Sequence, residues 1–182
     1  ASYADTENKQ KVLDYDQNLP SGWKLKRARW LLEPIDERSR DGSEDLLSVS
    51  EHRGVVKRND ITVTMFMAES YEGYKMCNKG YLVINSLWAW SRGLGFSDHH
   101  GIVSTAYSVY RLRNPEENDY HYLNYLLRTK LYVGQYSIRS KGIWKSRLQL
   151  SDYNFLDIPI IVPPKTTQIA IVNFLDKKLV KI

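Results

Sequence analysis

Residues 158–182 read IPIIVPPKTTQIAIVNFLDKKLVKI and decide how the fold ends. Proline cannot donate a ladder hydrogen bond, so Pro159 restricts a strand in the first part to an edge or terminal position. Pro163 and Pro164 stop that strand, and proline suits the first turn of a helix. Beyond them, apolar residues recur at coiled-coil spacing: Val172, Leu175, Leu179 and Ile182. The stretch predicts a strand, a rigid proline elbow and a coiled-coil-type helix.

The predicted helix has no stop signal. Its last residue, Ile182, is itself an apolar position of the pattern, and no Gly or Asn follows it. We therefore expect this chain to be a domain cut from a longer protein. The apolar positions are then expected to pack against another helix of that protein.

Length and composition predict one globular domain. With 182 residues, 42% hydrophobic and 26% charged, the chain can bury one core. The uncharged apolar stretch at residues 81–91 is shorter than the roughly 20 residues of a membrane span. Cys77 is the single cysteine and no basic-then-apolar leader opens the chain, so we expect a cytoplasmic protein without a membrane segment.

Positive charge is concentrated in the middle of the chain. The net charge is +5, yet the segment between Asp119 and Asp152 has no acid and carries +6, so the remaining residues sum to −1. Cations interleaved with aromatic residues and glycine suit a phosphate backbone. On charge alone, a solvated basic face explains the pattern equally well. The cations are Arg128, Lys130, Arg139, Lys141, Lys145 and Arg147.

Local patterns predict both strands and helices. Strands are predicted at 46–50, 60–67, 81–85 and 102–112, the last being the longest. Asn118 predicts the cap of a helix with apolar residues at 122, 123, 126, 127 and 131 that ends at Gly134. Because these elements show no regular βαβ alternation, we expect an α+β fold: a mixed, twisted β-sheet with flanking helices.

Motif spacing favours no enzyme class. The four histidines are scattered and Cys77 is alone, so no zinc site is expected. Gly93 and Gly95 lack the third glycine of a dinucleotide site and predict a flexible loop. The Pro-Pro at 163–164 lacks the flanking residues of an amino-methyltransferase motif, and the Glu-Asn-Lys at 7–9 lacks the partner acids of a nuclease.

The central motifs resemble those of a known family. The sequence GYLVINSLWAW at 80–90, the glycines at 93 and 95, and GIVSTAY at 101–107 are similar to the target recognition domain of type I restriction-modification specificity subunits. LPSGW at 19–23 resembles the entry segment of that family. Residues 147–159 and the helix start at Gln168 resemble its exit into a spacer helix. The chain departs from the family pattern at two positions. Tyr81 stands where an acidic residue commonly follows the glycine, and Thr105 stands where a proline often precedes Ala-Tyr.

The resemblance implies a division of the chain and a set of partners. Residues 1–18 are expected to be a polar tail or short helix, 19–164 a DNA target recognition domain, and 165–182 the start of the spacer helix. Such a subunit reads a split site in double-stranded DNA and catalyses nothing. Its implied partners are methylation and restriction subunits and a second recognition domain or second copy. S-adenosylmethionine, ATP and Mg would belong to the partner subunits, with no cofactor or metal in this chain.

Three groups of residues are the predicted DNA contacts. Arginine pairs bidentately with guanine whereas lysine more often contacts phosphate, so Arg92 and Arg139 are the candidates for base reading. For each residue, an exposed charge that touches nothing is the alternative. The groups are His52, Arg53, Lys57 and Arg58; Arg92, Ser97, His99 and His100; and Arg139, Lys141, Trp144, Lys145 and Arg147.

Two further alternatives concern the tryptophans and the function class. Trp88 and Trp90 lie two apart, so in a strand they share a face, and core packing is favoured over base stacking. Trp144 fits the core and DNA equally well. An autonomous nucleic-acid-binding module would share the basic segment but would not need a coiled-coil helix after Pro-Pro. A small enzyme would need convergent titratable groups in a pocket.

Overall fold

The computed structural model describes residues 19–60, 69–142 and 148–179. Its strands are β1 (Lys24–Arg27), β2 (Leu32–Ile35), β3 (Leu47–Ser50), β4 (Gly54–Lys57), β5 (Lys75–Cys77), β6 (Leu82–Ile84), β7 (Leu94–Phe96), β8 (Gly101–Val103), β9 (Ser108–Leu112) and β10 (Pro159–Val162). Its helices are α1 (Ala28–Leu31), α2 (Tyr120–Leu127), α3 (Lys130–Arg139), α4 (Asp152–Leu156) and α5 (Lys165–Leu179). The expected α+β class is confirmed.

A four-stranded antiparallel sheet, in the order β2-β9-β6-β7, forms the centre of the fold. Leu82 and Ile84 of β6 face a large core that includes side chains of α2 and α3. Val83 faces the opposite way, into a smaller core with side chains of β3, β4, β5 and β8. Because β6 is buried on both faces, it reads as a continuous apolar run. The strands predicted at 46–50 and 81–85 are confirmed as β3 and β6.

The strand predicted at 102–112 is wrong as a single element. It is two strands, β8 and β9, which pair in different sheets. Between them Tyr107 N donates to the Ser104 carbonyl (3.0 Å), and Ala106 N donates to Ser104 Oγ (3.3 Å). A serine hydroxyl that accepts from the backbone stabilises a turn, so Ser104 is the local signal for the break. Residues 61–67 of the predicted 60–67 strand lie outside the described residues.

The predicted helix after Asn118 is also wrong in its cap and its end. Asp119 is the cap, since its side chain accepts from Tyr122 N (3.0 Å). The helix stops at Leu127, and Thr129 caps a second helix whose first turn it satisfies through Tyr132 N. That helix continues through Gly134 to Arg139. The apolar period spans both helices, which is why the sequence pattern does not show the break.

Gly134 should be a weak point of α3. An added Cβ at this position meets no described atom within 4 Å. Because glycine in a helix interior costs about 1 kcal/mol relative to alanine, we expect Gly134→Ala to raise the free energy of unfolding by about that amount. Gly73 is the matched control: it is equally open, but its φ of +74° disfavours alanine. Urea unfolding in which Gly134→Ala destabilises the protein would contradict a helix through Gly134.

The proline elbow and the helix after it are confirmed. Among the described strands, β10 pairs with β1 alone in a two-stranded sheet, so Pro159 lies on an edge strand as predicted. After Pro163 and Pro164, α5 begins at Lys165. Gln168, which is 0% exposed, fixes the start of this helix. It accepts from Asp119 N (2.7 Å) and donates to the carbonyls of Glu117 (3.1 Å) and Pro163 (2.9 Å).

Candidate nucleic-acid interface

The segment between β6 and β7, residues 85–93, is a compact turn that we call the indole loop. Asn85 N donates to the Gly93 carbonyl (2.8 Å) and Asn85 Oδ1 accepts from Leu87 N (3.2 Å), so the loop is closed at its base. A single 3-10 turn, Ala89–Ser91, follows Trp88. Gly93 is required because an added Cβ would lie 2.7 Å from the Trp88 carbonyl oxygen. The flexible loop predicted at residues 93–95 is wrong, since β7 begins at Leu94.

The prediction that Trp88 packs in the core is wrong. The two indoles do not share a strand face; they stack on each other at the tip of the indole loop, with ring centroids 5.8 Å apart and planes 21° apart. Trp90 Nε1 donates to the Leu87 carbonyl (2.8 Å), which fixes the inner ring. Trp88 is 55% exposed and its neighbour Leu87 is 44% exposed. The tip of the loop is therefore apolar and exposed, and a hydrogen bond holds it in place.

Arg128 joins the indole loop to the turn between β3 and β4, residues 51–53. Its guanidinium donates to the carbonyls of Glu51 (2.8 Å), Arg92 (3.3 Å) and Leu94. Burial, followed by the positive charge of Arg92, lowers the pKa of Arg128. Arg128 thus holds the 51–53 turn, which carries the predicted contacts His52 and Arg53, beside the backbone of Arg92. The Arg53 guanidinium itself donates to the Asp60 carbonyl (3.3 Å).

Arg128 itself was missed as a site residue. In the sequence it is one of six cations, and its carbonyl partners lie 34 to 77 residues away. No local pattern encodes such distant contacts. Among the residues that the structure describes, Arg128 and Arg92 form no ion pair, so their positive charge is not neutralised by a described acid.

Described residues of the acid-free basic segment between Asp119 and Asp152 lie beside the indole loop. Helix α3 packs on the Ala89–Ser91 turn. Lys141 and Gln149 exchange two backbone hydrogen bonds (3.0 and 2.9 Å), and Leu150 N donates to the Ser86 carbonyl (3.0 Å). The segment that carries the cations therefore leaves and returns at this loop. We call the indole loop, the 51–53 turn and the described residues of 139–149 together the basic surface.

The members of the third predicted group differ in exposure. Lys141 is exposed. Arg139 is half-buried: its guanidinium donates to Gln135, its carbonyl accepts from Asn154 Nδ2 (2.8 Å), and burial lowers its pKa. Trp144, Lys145 and Arg147 lie outside the described residues.

A second set of predicted residues surrounds Asp45, at the other end of β4 from the 51–53 turn. Lys57 Nζ lies 2.6 Å from Asp45 Oδ2, and this hydrogen bond and charge, with smaller contributions from His99 and His100, lower the pKa of Asp45. His100 Nδ1 also lies 2.5 Å from Asn78 Oδ1. Lys57 is therefore already paired within the chain. Arg58 follows in the 3-10 turn, where its N–H donates to the Leu46 carbonyl (2.8 Å).

Ser97 is wrong as a DNA contact. It is 0% exposed, and its hydroxyl donates to the His99 carbonyl (2.9 Å) and accepts from His99 N (3.0 Å). Its role is to hold the turn that follows β7. A ligand has no access to its hydroxyl.

The described residues offer little to metal or nucleophilic chemistry. No three His, Cys, Asp or Glu side chains of residues 19–60, 69–142 and 148–179 are grouped to hold a metal ion. Cys77 is fully buried, and burial raises the pKa of its thiol to about 11, so the reactive thiolate is scarce at neutral pH. No described helix has the length and apolarity to cross a membrane.

The predicted apolar stripe of α5 faces its own domain. Ile171 and Val172 pack against the large core. Leu175 and Leu179 line an apolar groove of about 490 Å³ between α5 and α2, and Leu179 is exposed. The Tyr125 hydroxyl donates to Asp176 across this contact. Packing of Leu175 and Leu179 against another helix stays a prediction, and Ile182 lies outside the described residues.

Three solved structures share this fold. A chain of a type I R-M system, described for its complex assembly and conformational transition, aligns with a TM-score of 0.60 at 15% identity, over 98% of this chain and 45% of its own. The HsdS subunit from Thermoanaerobacter tengcongensis aligns with a TM-score of 0.51 at 16% identity, over 96% of this chain and 44% of its own. The S subunit of the type I restriction-modification system from M. genitalium aligns with a TM-score of 0.55 at 12% identity, over 85% of this chain and 38% of its own.

Sequence comparison adds no relative: no protein-family model and no curated protein matches the chain. The chain spans less than half the length of the three structures that it resembles. At 12 to 16% identity the likeness is one of fold. The chain therefore has the α+β fold seen in type I S subunits, over nearly its whole described length.

Proposed function

We propose that this chain reads one half of a bipartite double-stranded DNA site as part of a type I restriction-modification specificity subunit. The observation that carries the proposal is the shared fold, which extends over 85 to 98% of this chain and through α5. The chain corresponds to 38 to 45% of those proteins, a share that suits one of two recognition domains. In this proposal residues 1–18 are a tail, 19–164 the recognition domain and 165–182 the start of the spacer helix.

The basic surface supplies suitable chemistry for DNA. Arg92, Arg53 and Lys141 offer cations for phosphates or guanine edges around the half-buried charge of Arg128. A side chain on a loop that the central sheet holds rigidly can be placed in a groove with little loss of entropy. An autonomous nucleic-acid-binding module is less favoured, because it would not account for a fold likeness that includes the C-terminal helix.

We propose that the chemistry belongs to partner subunits. Methylation and restriction subunits would bind S-adenosylmethionine, ATP and Mg, while this chain, without a cofactor of its own, directs them to the site. Joined to a second recognition domain or a second copy through α5, it would complete the bipartite reading.

Selection from a random-sequence duplex pool tests this proposal. The full-length protein would be tagged at its chromosomal copy and purified with its partners. We expect the recovered duplexes to share two short motifs separated by a fixed number of base pairs. Recovery of duplexes without a shared motif, or preferential recovery of single-stranded RNA in a parallel pool, would contradict it.

Neutralising the third predicted group should flatten the salt dependence of DNA binding. We expect the combined variant Arg139→Gln, Lys141→Gln, Lys145→Gln and Arg147→Gln to reduce the slope of log K against log salt by about 0.9 for each lost phosphate contact. A variant with the same change in net charge is the control. It replaces exposed lysines outside the basic segment: Lys24, Lys79, Lys177 and Lys178. Equal slopes for the two variants would reject this mapping of the interface.

A further inference from the structure

Leu87 and Trp88 form the tip of the indole loop, and the packing of the described residues does not explain why two such large apolar side chains are exposed. Trp88 is 55% exposed and Leu87 44% exposed, whereas the adjacent Ala89 is fully buried and anchors the loop. Trp90 is stacked beside Trp88, with ring centroids 5.8 Å apart and planes 21° apart, and more than half of Trp88 stays exposed. One more flat ring could stack there.

The charges around this tip favour a DNA base over a protein side chain as the ring that stacks on Trp88. The indole loop contains no acid, and neither does the segment between Asp119 and Asp152 that flanks it. Glu51 is the one acid within the 51–53 turn, next to Arg53. Arg92 and Arg128 place two positive charges at the loop's end, where the Arg128 guanidinium donates to the Arg92 carbonyl (3.3 Å). An apolar tip set in positive charge is complementary to bases set between phosphates.

The tip is also rigid. The Trp90 Nε1 bond to the Leu87 carbonyl (2.8 Å), the closure between Asn85 and Gly93, and the Arg128 bonds at the loop's end hold it from three sides. A wedge must hold its shape while it displaces a base, because a flexible loop would yield before the stacked base pairs separate. Inserted apolar side chains unstack base steps in this way in other DNA-binding proteins.

We propose that Leu87 and Trp88 form an apolar wedge that enters the recognised duplex and stacks Trp88 on a base that has left its normal stacking. The proposal rests on the proposed function, since it concerns the same duplex. It adds a contribution to recognition that depends on how easily a base step opens, beside hydrogen bonding to base edges.

Base-analogue fluorescence on the selected duplex tests the wedge. In that duplex, 2-aminopurine would replace each adenine in turn and pyrrolocytosine each cytosine, because both analogues brighten when unstacked. We expect the purified complex to raise the fluorescence several-fold at one step. Trp88→Ala should abolish that rise and weaken binding by about 10-fold or more, with an unchanged salt slope. Leu87→Ala should lower the rise, and Trp88→Phe should retain part of it.

Trp30, an indole that is 67% exposed on α1, supplies the matched control variant Trp30→Ala. A wild-type complex that brightens no position, or a Trp88→Ala complex that binds and brightens as the wild type does, would overturn the wedge. So would loss of a copurifying protein in Trp88→Ala with duplex binding intact, since the tip would then be a protein contact. A pool without any shared motif would instead reject the proposed function itself, and these outcomes are distinct.

Discussion

Replacing Arg128 with methionine is expected to lower the free energy of unfolding by about 3 kcal/mol and to weaken duplex binding more than the loss of one charge would. The change keeps the bulk of the side chain but removes the donors to three carbonyls, those of Glu51, Arg92 and Leu94. A polar group left without its partner costs about 1 to 3 kcal/mol when buried, and less where water can reach it. Because these carbonyls belong to the 51–53 turn, the end of the indole loop and the start of β7, these segments would lose their relative positions.

Urea unfolding and duplex titration measure the two effects. Lys130→Met is the control, since Lys130 is an exposed cation two residues further along the chain. It should change the free energy of unfolding by no more than about 0.5 kcal/mol. If both variants unfold at the same urea concentration, Arg128 does not hold the basic surface together.

Replacing Gln168 with leucine is expected to lower the free energy of unfolding by about 2 to 4 kcal/mol. Gln168 is fully buried, and its amide satisfies Asp119 N and the carbonyls of Glu117 and Pro163. Leucine fills similar space but leaves these three backbone groups without the partner. The same bonds fix the direction in which α5 leaves the domain, so the amides of its first turns should also exchange faster with solvent.

Asn173→Leu is the matched control for Gln168→Leu. Asn173 carries the other side-chain amide of α5 and is exposed. Its replacement should change the free energy of unfolding by about 0.5 kcal/mol or less. Hydrogen exchange in which α5 is as protected in Gln168→Leu as in Asn173→Leu would refute the role of Gln168 in fixing the helix.

Elements whose signals are local were predictable from the sequence. Pro159 and the Pro163–Pro164 pair mark the edge strand and the elbow, because proline acts through its own ring and missing N–H. The apolar run of β6 needs no knowledge of its partners. By contrast, the break at Ser104 depends on a single hydroxyl, and the break between α2 and α3 leaves the apolar period intact. Gly134 inside α3 shows that a helix packed on the core tolerates a residue that usually ends one.

The site was less predictable than the fold. Sequence patterns assign Arg53, Arg92 and Lys141 to three separate groups of predicted DNA contacts, which stay predictions. The same patterns give Arg128 no special place, although Arg128 donates to the carbonyls of Glu51, Arg92 and Leu94. Ser97 illustrates the opposite error, since a polar residue beside two histidines proved to be a buried support. Trp88 is exposed because its loop is a turn, and two tryptophans two apart predict a shared face only if the backbone is extended. Long-range contacts to backbone carbonyls decide the role of Arg128, whereas local turns decide those of Ser97 and Trp88.

The most direct test of the central claim is the methylome of the source organism with and without this gene. If the chain reads half of a bipartite site for a methylation complex, deletion should abolish methylation at one split motif and leave all other motifs unchanged. Restoring the gene should restore that motif, and restoring it with Arg128→Met should not. A methylome identical in the presence and absence of the gene would contradict the account.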